Sequence, residues 1–211
     1  MKKAIIFGDS ISTFKNHIPE GYAVYYSEEG PNDVRDVRAT WWYQVMDEAE
    51  LELVRNDSWS SSTISYTALS GPDCSGTSSF ITRLNRLIES GFFIENEIET
   101  VFVFGGTNDF WSPAKRGEIK HEDFTREDLF CTYPAICYFM KLLRETLPGA
   151  EIYCLINNAL SEDIAECFEA ACERRGITVV KFPELDIVNN HPTVRGMVQI
   201  KDTVLSAMKK K

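Results

Sequence analysis

The chain has no long hydrophobic segment and few basic residues. Its longest uninterrupted apolar runs are about six residues, whereas a helix that crosses a bilayer needs roughly 20. It carries 22 basic against 32 acidic residues, which gives a formal net charge of −10 at pH 7. Nucleic acids and anionic membrane surfaces are bound through Lys and Arg. We therefore expect neither a nucleic acid nor a membrane as a partner.

Histidine is scarce as well, and the cysteines follow no ligand pattern. The sequence has three histidines and six cysteines, and no two cysteines have the Cys-x-x-Cys spacing that is typical of zinc sites. We therefore expect no structural zinc site and no disulfide framework. The apolar stretch near the N-terminus ends after four residues, at Gly8, which is short for a signal peptide. These features predict a cytoplasmic protein with reduced thiols.

The sequence does contain a regular alternation of strand-like and helix-like patterns. With 211 residues, of which 44% are apolar, the chain is expected to form a single domain over residues 1–211. Strands that are buried on both faces have continuous apolar runs. Such runs occupy residues 3–7, 51–55, 100–104, 152–156 and 177–180. A helical pattern follows each of them, which predicts an α/β fold with three layers, α/β/α, around a five-stranded parallel sheet.

Two long connections, residues 11–39 and 107–125, lack clear periodicity. Connections of this length inside a compact domain are usually functional or contain short elements that the pattern does not reveal. Ligands bind to open parallel sheets at the carboxyl ends of the strands. Small polar residues directly follow four of the five predicted strands, and the segment after the fifth reaches His191. We therefore expect the functional site at this edge of the sheet.

Ser10 and His191 are the candidate reactive residues at that edge. A serine hydroxyl becomes a good nucleophile only beside a base, and an imidazole with its usual pKa near 6.5 is suited to that task at neutral pH. Each residue alone also fits an ordinary turn or helix cap. The case for catalysis therefore depends on the segments taken together.

Three segments in this order resemble the sequence blocks of the SGNH (GDSL-type) hydrolases. The matching segments are Gly8-Asp9-Ser10, Gly106-Thr107-Asn108-Asp109, and His191-Pro192 followed by Gly196. The resemblance covers nearly the whole chain. It implies the family's three-layer, flavodoxin-like fold and a serine ester hydrolase that needs no metal or cofactor.

The resemblance also implies a role for individual residues. Ser10 would be the nucleophile and His191 the base. The oxyanion hole would consist of the backbone N–H groups of Ser10 and Ser61 and the side chain of Asn108. The residues expected at the substrate-binding site are Asp9, Trp59, Gly106 and Trp111.

Two positions depart from the family pattern. Ser61 stands where the family has a glycine, and its N–H remains a donor unless the backbone needs a positive φ. Val188 stands where the family usually has the aspartate that orients the histidine. Asp186, five residues before His191, could take that role if the loop folds suitably. The alternative is a Ser-His dyad in which a backbone carbonyl or Asn189 orients the ring.

The leading functional hypothesis is hydrolysis of a small or carbohydrate-linked acyl ester, such as an acetyl ester. Residues 40–42 and 56–63 also resemble a bacterial subgroup of the family. The alternatives are a long-chain lipase or thioesterase, a non-catalytic ligand-binding module on the same fold, and a metal-dependent phosphoesterase that uses Asp9 and Asp109. These two carboxylates could instead brace the loops by accepting backbone hydrogen bonds.

Overall fold

The computed structural model describes residues 1–210, and a five-stranded parallel sheet forms its centre. The strands are β1 (Lys2–Gly8), β2 (Leu51–Ser58), β3 (Thr100–Phe104), β4 (Glu151–Ile156) and β5 (Thr178–Lys181). Their spatial order is β2-β1-β3-β4-β5, the flavodoxin-like order. The predicted α/β fold with five parallel strands is confirmed. Lys211, the last residue of the expected domain, lies outside the described residues.

Helices cover both faces of the sheet. In the described part of the chain they are α1 (Trp41–Glu48), α2 (Phe80–Glu89), α3 (Phe92–Glu95), α4 (Thr107–Trp111), α5 (Thr132–Thr146), α6 (Glu162–Arg175) and α7 (Val194–Met208). Helices α1 and α7 pack on one face, whereas α2, α5 and α6 pack on the other. None of these helices is long and apolar enough to cross a membrane.

Strand β3 shows why the apolar runs are continuous. Successive side chains of a strand point to opposite faces. Val101 and Val103 therefore enter the core below α2, α5 and α6, whereas Phe102 and Phe104 enter the core below α1 and α7. All four are fully buried, because a helical layer covers each face. An exposed face would have required polar residues at alternate positions.

A small hairpin before α7 is absent from the sequence-based prediction. Strands β6 (Ile187–Val188) and β7 (His191–Pro192) pair in antiparallel fashion. The two residues that join them, Asn189 and Asn190, have φ values of +51° and +63°. Positive φ at both central residues is typical of the type I′ turn, which favours Asn and Gly. This hairpin places His191 at the carboxyl edge of the sheet.

The chain reverses its winding between β1 and β3, which are neighbours in the sheet although β2 lies between them in sequence. The segments that follow β1 and β3 therefore leave the sheet side by side. In open α/β sheets, ligands bind in the crevice at such a point. Ser10 follows β1 and Asn108 follows β3, so the topology brings both to this crevice.

Candidate active site

The segment after β1 presents Ser10 at the carboxyl edge of the sheet. One turn of 3-10 helix, Ser10–Ser12, begins there, and the Asp9 carboxylate caps it by accepting from the N–H of Ile11 at 3.0 Å. Gly8 allows this tight turn, since a Cβ at that position would lie 2.8 Å from the Cβ of Ser12. The hydroxyl of Ser10 is thereby held at the start of a rigid turn.

His191 bridges Ser10 and the backbone of its own hairpin. Its Nε2 lies 3.0 Å from the Oγ of Ser10, and its Nδ1 lies 2.9 Å from the carbonyl oxygen of Asn189. A carbonyl oxygen can only accept, so in the neutral ring Nδ1 carries the proton and Nε2 is the acceptor for the hydroxyl of Ser10. This is the tautomer that a general base requires.

The surroundings of His191 favour the neutral ring. Burial lowers its pKa from the usual 6.5, while the hydrogen bond to the carbonyl of Asn189 acts in the opposite direction. The net effect is a lowered pKa. At neutral pH the imidazole is therefore unprotonated and available to accept a proton.

Asp186 does not contact His191, and the expectation that it orients the ring is corrected. Its carboxylate accepts from the hydroxyl of Thr193, which caps α7. The N–H of Thr193 also donates to the carbonyl of Asp186 at 3.0 Å. The β6–β7 hairpin reverses the chain between the two residues, so Asp186 lies against Thr193. The ring of His191 is instead oriented by the carbonyl of Asn189.

A hydrogen bond joins Asn108 to the turn that contains Ser61. The side-chain amide of Asn108 donates to the carbonyl of Ser62 at 2.9 Å, which ties the start of α4 to the turn that contains Ser61. Ser61 has a φ of +62°, so the serine adopts the left-handed conformation that favours glycine. Among residues 1–210, no acceptor pairs with the backbone N–H of Ser10 or Ser61. Both donors remain open for a ligand oxygen.

The carboxylates of Asp9 and Asp109 face the backbone. Asp109 accepts from the N–H groups of Ile64 and Ser65 at 2.8 and 3.0 Å, and Asp9 accepts from Ile11 as described above. Burial raises the pKa of Asp9 to about 7 and also raises the pKa of Asp109. Asp9 is only 1% exposed, so its expected place at the substrate is corrected: both carboxylates brace loops.

The other expected substrate-binding residues differ in exposure. Gly106 is buried, and a Cβ there would lie 2.7 Å from the ring of Phe168, so the glycine packs closely against α6, and its expected contact with substrate stays a prediction. Trp59 is partly buried, 5.1 Å from the ring of Tyr22. Trp111 is 47% exposed and borders a small cavity. Trp111 is therefore the most accessible of the four.

The comparison with known proteins agrees with this geometry. The family model described as GDSL-like lipase/acylhydrolase matches residues 2–208. The chain belongs to this family. A GDSL-like lipase structure from Bacteroides ovatus is 33% identical, with a TM-score of 0.90, and the match covers 100% of this chain and 99% of that one. A GDSL-like lipase structure from Bacteroides uniformis is 35% identical, with a TM-score of 0.89 and coverage of 100% and 96%.

More distant structures share the GDSL-like fold. A family two carbohydrate esterase from Clostridium thermocellum is 18% identical, with a TM-score of 0.68 and coverage of 100% of this chain and 64% of that one. An acetyl xylan esterase from Butyrivibrio proteoclasticus is 16% identical, with a TM-score of 0.64 and coverage of 99% and 64%. No curated protein matches the chain. The predicted family membership is confirmed.

Arg83 is a residue of this GDSL-like site that the sequence analysis missed. It lies on α2, is 2% exposed, and donates to groups on four segments around Ser10. Its contacts are the carbonyl of Ser78 at 3.1 Å, Oδ2 of Asp57 at 2.9 Å, the carbonyl of Asp57, and both the carbonyl of Gly8 and Oγ of Ser62 at 3.3 Å. These contacts use all five donors of a guanidinium. Its position on the apolar face of α2, between Phe80 and Leu87, is the signal that could have revealed it.

The long connection 11–39 packs against the histidine segment. The hydroxyl of Tyr26 and the side-chain amide of Asn32 both donate to the carbonyl of Pro192, at 3.3 and 3.2 Å. Tyr26 is fully buried. This connection therefore forms one wall of the site. Tyr25, which precedes Tyr26 in the connection, stacks on the ring of His191.

Proposed function

We propose that this family member is a serine ester hydrolase that removes a small acyl group, such as acetyl, from a carbohydrate or similar polyhydroxylated alcohol. The observation that carries the proposal is the contact between Oγ of Ser10 and Nε2 of His191 at 3.0 Å, with Nδ1 held by a carbonyl. In that arrangement the base faces the nucleophile in the correct tautomer.

The proposed first step forms an acyl-enzyme. Nε2 of His191 takes the proton of Ser10 while Oγ attacks the ester carbonyl. The negative charge that develops on the carbonyl oxygen is stabilised by the N–H groups of Ser10 and Ser61 and by the amide of Asn108. Removing one such donor typically lowers the rate about 10²- to 10³-fold. The imidazolium then protonates the leaving alcohol as its bond to the acyl carbon breaks.

The proposed second step returns the enzyme to its starting state. Water attacks the acyl carbon while Nε2 of His191 takes a proton from it. The second tetrahedral intermediate uses the same three donors. As the bond to Oγ of Ser10 breaks, the imidazolium returns the proton to Ser10, and the carboxylic acid leaves.

A small cavity lined by the sequence neighbours of Ser10 and His191, Ile11 and Pro192, supports a short acyl group. Its volume is about 20 Å³, close to the space that one water molecule needs. Its lining includes Ile11, Thr107, Trp111, Leu185 and Pro192. An acetyl methyl group has a suitable size, whereas an octanoyl chain would need a much larger space.

A groove on the Ser61 side supports a hydroxyl-rich alcohol. It has a volume of about 390 Å³ and is bordered by Tyr22, Ser61, Ser70 and Ser78. Within residues 1–210, the three serine hydroxyls have no hydrogen-bond partner, so they can bind hydroxyl groups of a ligand. The acetyl xylan esterase that shares the fold is in keeping with an acetylated sugar as substrate.

The experiment compares hydrolysis of p-nitrophenyl acetate, butyrate and octanoate by the wild type, Ser10→Ala and the control Ser206→Ala, each with and without EDTA. Ser206 is an exposed residue of α7. We expect acetate to be the fastest substrate and Ser10→Ala to lose at least about 10³-fold in kcat, while the control matches the wild type. Retained activity in Ser10→Ala, or loss with EDTA alone, would refute the serine mechanism. A rate that rises with chain length would instead indicate a lipase or thioesterase, and no activity with a folded protein would favour a binding module.

A further inference from the structure

The ring of Tyr25 lies directly on the ring of His191. Their centroids are 3.9 Å apart and the ring planes differ by 21°, so the two rings stack face to face. The ring of Tyr26 lies nearly perpendicular to the imidazole, with centroids 5.8 Å apart and planes at 80°. Two aromatic rings from one connection thus contact His191.

His191 has no charged partner for its protonated form. Its Nδ1 pairs with the carbonyl of Asn189, which is neutral, and its Nε2 pairs with Ser10. The titratable side chains packed on the ring are the phenols of Tyr25 and Tyr26, and no carboxylate or cation in the described part of the chain contributes to its pKa. The imidazolium that forms during catalysis must therefore be stabilised by neutral groups.

We propose that Tyr25 is a positioning residue that, through the face of its ring, holds the imidazole against Ser10 and stabilises the imidazolium during acyl transfer. This inference rests on the proposed function. The face of an aromatic ring carries partial negative charge and attracts a cation placed over it. The stack therefore supplies part of the stabilisation that a carboxylate gives in a Ser-His-Asp triad.

The connection is anchored so that Tyr25 keeps this position. On one side, Tyr26 and Asn32 donate to the carbonyl of Pro192 as described, and Oδ1 of Asp33 accepts from the N–H of Val194 at 2.9 Å. On the other side, the hydroxyl of Ser60 donates to the carbonyl of Ala23 at 2.6 Å. The first contacts join Tyr25 to the histidine segment, and the last joins it to the turn that contains Ser61.

The experiment compares Tyr25→Phe with Tyr25→Leu. Phenylalanine keeps the ring and its negative face, whereas leucine keeps the apolar cover over His191 but has no π-system. We expect Tyr25→Phe to stay within about twofold of the wild type on p-nitrophenyl acetate. We expect Tyr25→Leu to lose about 3- to 30-fold in kcat with little change in KM. The acid limb of its kcat/KM profile should move to lower pH, because the imidazolium is less stable in this variant.

Two results would overturn the inference. One is a Tyr25→Leu variant with the kcat and pH profile of Tyr25→Phe. The other is an effect confined to KM, which would mean that Tyr25 only contacts substrate, since it also borders a cavity of about 170 Å³. Thermal unfolding of both variants shows whether leucine merely disturbs the fold.

A second readout separates this inference from the proposed function. The pKa of His191 is measured by proton NMR in each variant, with the two other histidine signals assigned by His17→Gln and His121→Gln. We expect Tyr25→Leu to lower the pKa of His191 and Tyr25→Phe to leave it unchanged. This result does not require turnover, so an inactive wild type would refute the proposed function while still testing the stack. An unchanged or raised pKa in Tyr25→Leu would refute the stabilisation by Tyr25.

Discussion

At the scale of single residues, Ser61, an expected member of the oxyanion hole, has the backbone conformation that glycine usually adopts. Its φ of +62° costs a serine roughly 1 kcal/mol or more. The sequence left open whether the backbone at this position needs a positive φ. In the structure, Ser61 has one. The N–H of Ser61 is nevertheless unpaired among residues 1–210. The serine therefore provides the same backbone donor as glycine, but in a strained conformation.

Ser61→Gly tests this interpretation. Glycine relieves the strained φ but also increases the freedom of the unfolded chain, so we expect a net gain of up to about 1 kcal/mol in unfolding free energy. The kcat should be unchanged or higher, because the N–H remains. Urea unfolding is compared with Ser70→Gly, an exposed residue without positive φ, which should lose stability. A loss in Ser61→Gly equal to that of the control would contradict the account.

The raised pKa of Asp9 predicts an unusual dependence of the protein's stability on pH. Its folded pKa is about 7, raised mainly by burial from 3.8, and its Oδ2 has no hydrogen-bond partner among the described residues. Between these two pH values the folded state binds more protons than the unfolded state, so this group's contribution to stability is present at low pH and is lost as the pH rises to about 7.

Asp9→Asn removes this titration but can still accept from the N–H of Ile11. We therefore expect the stability of Asp9→Asn relative to the wild type to increase from about pH 5 to about pH 8, as measured by urea unfolding at both values. Asp36→Asn, at an exposed carboxylate whose pKa is lowered by Arg38, is the control and should not show this trend. A difference between Asp9→Asn and the wild type that is independent of pH would mean that Asp9 is ionised throughout.

The residues predicted from sequence were those that belong to contiguous motifs. Ser10 and Asn108 follow strands at the carboxyl edge of the sheet and His191 lies in the β6–β7 hairpin. The structure brings Ser10 and His191 into contact. Asp186 was misplaced because its partner depends on the reversal of the chain at the β6–β7 hairpin. Arg83 was missed because its only local signal is its position on the apolar face of α2, whereas its partners come from four separate segments.

At the scale of secondary-structure elements, the hairpin decides what orients His191. The consecutive residues Asn189 and Asn190 favour a type I′ turn, and this signal was present in the sequence. Because the turn is so tight, the carbonyl of Asn189 lies within reach of the ring only two residues later. The backbone thus takes the position that the family usually gives to an aspartate side chain.

Asn189→Gly and Asn189→Val separate the backbone from the side chain. Glycine adopts positive φ easily, so Asn189→Gly should keep the carbonyl in place and leave kcat within about twofold of the wild type. Valine disfavours positive φ, so Asn189→Val should displace the carbonyl and lower kcat by about tenfold or more. Rates on p-nitrophenyl acetate provide the measurement. A large loss in Asn189→Gly would show that the side chain of Asn189 is required.

The main strands and helices were predictable because burial on both faces produces continuous apolar runs, as in β3. The short elements were not. Helix α4 spans five residues inside a connection that showed no periodicity, because so short a helix cannot display an amphipathic pattern. The connection 11–39 has little regular structure, and its position depends on contacts with the histidine segment and with Ser60.

At the scale of the whole molecule, the sheet gathers segments from the entire chain at one edge. The proposed nucleophile comes from residue 10, the proposed oxyanion amide from residue 108 and the proposed base from residue 191. The order of the strands places the first two side by side, and the connection that contains Tyr25 and Ala23 joins the third to the turn of Ser61. The site therefore depends on tertiary structure, and unfolding of any of these segments should abolish it.

Labelling with a fluorophosphonate tests the central claim most directly, because this reagent reacts with a serine that an adjacent base activates. The account predicts that the wild type and Asp186→Asn are labelled at Ser10 at similar rates, as seen by mass spectrometry. Ser10→Ala should not be labelled, and His191→Ala should react far more slowly. Absence of labelling in the folded wild type would contradict the Ser10–His191 dyad, and a loss in Asp186→Asn comparable to that in His191→Ala would restore Asp186 to the catalytic group.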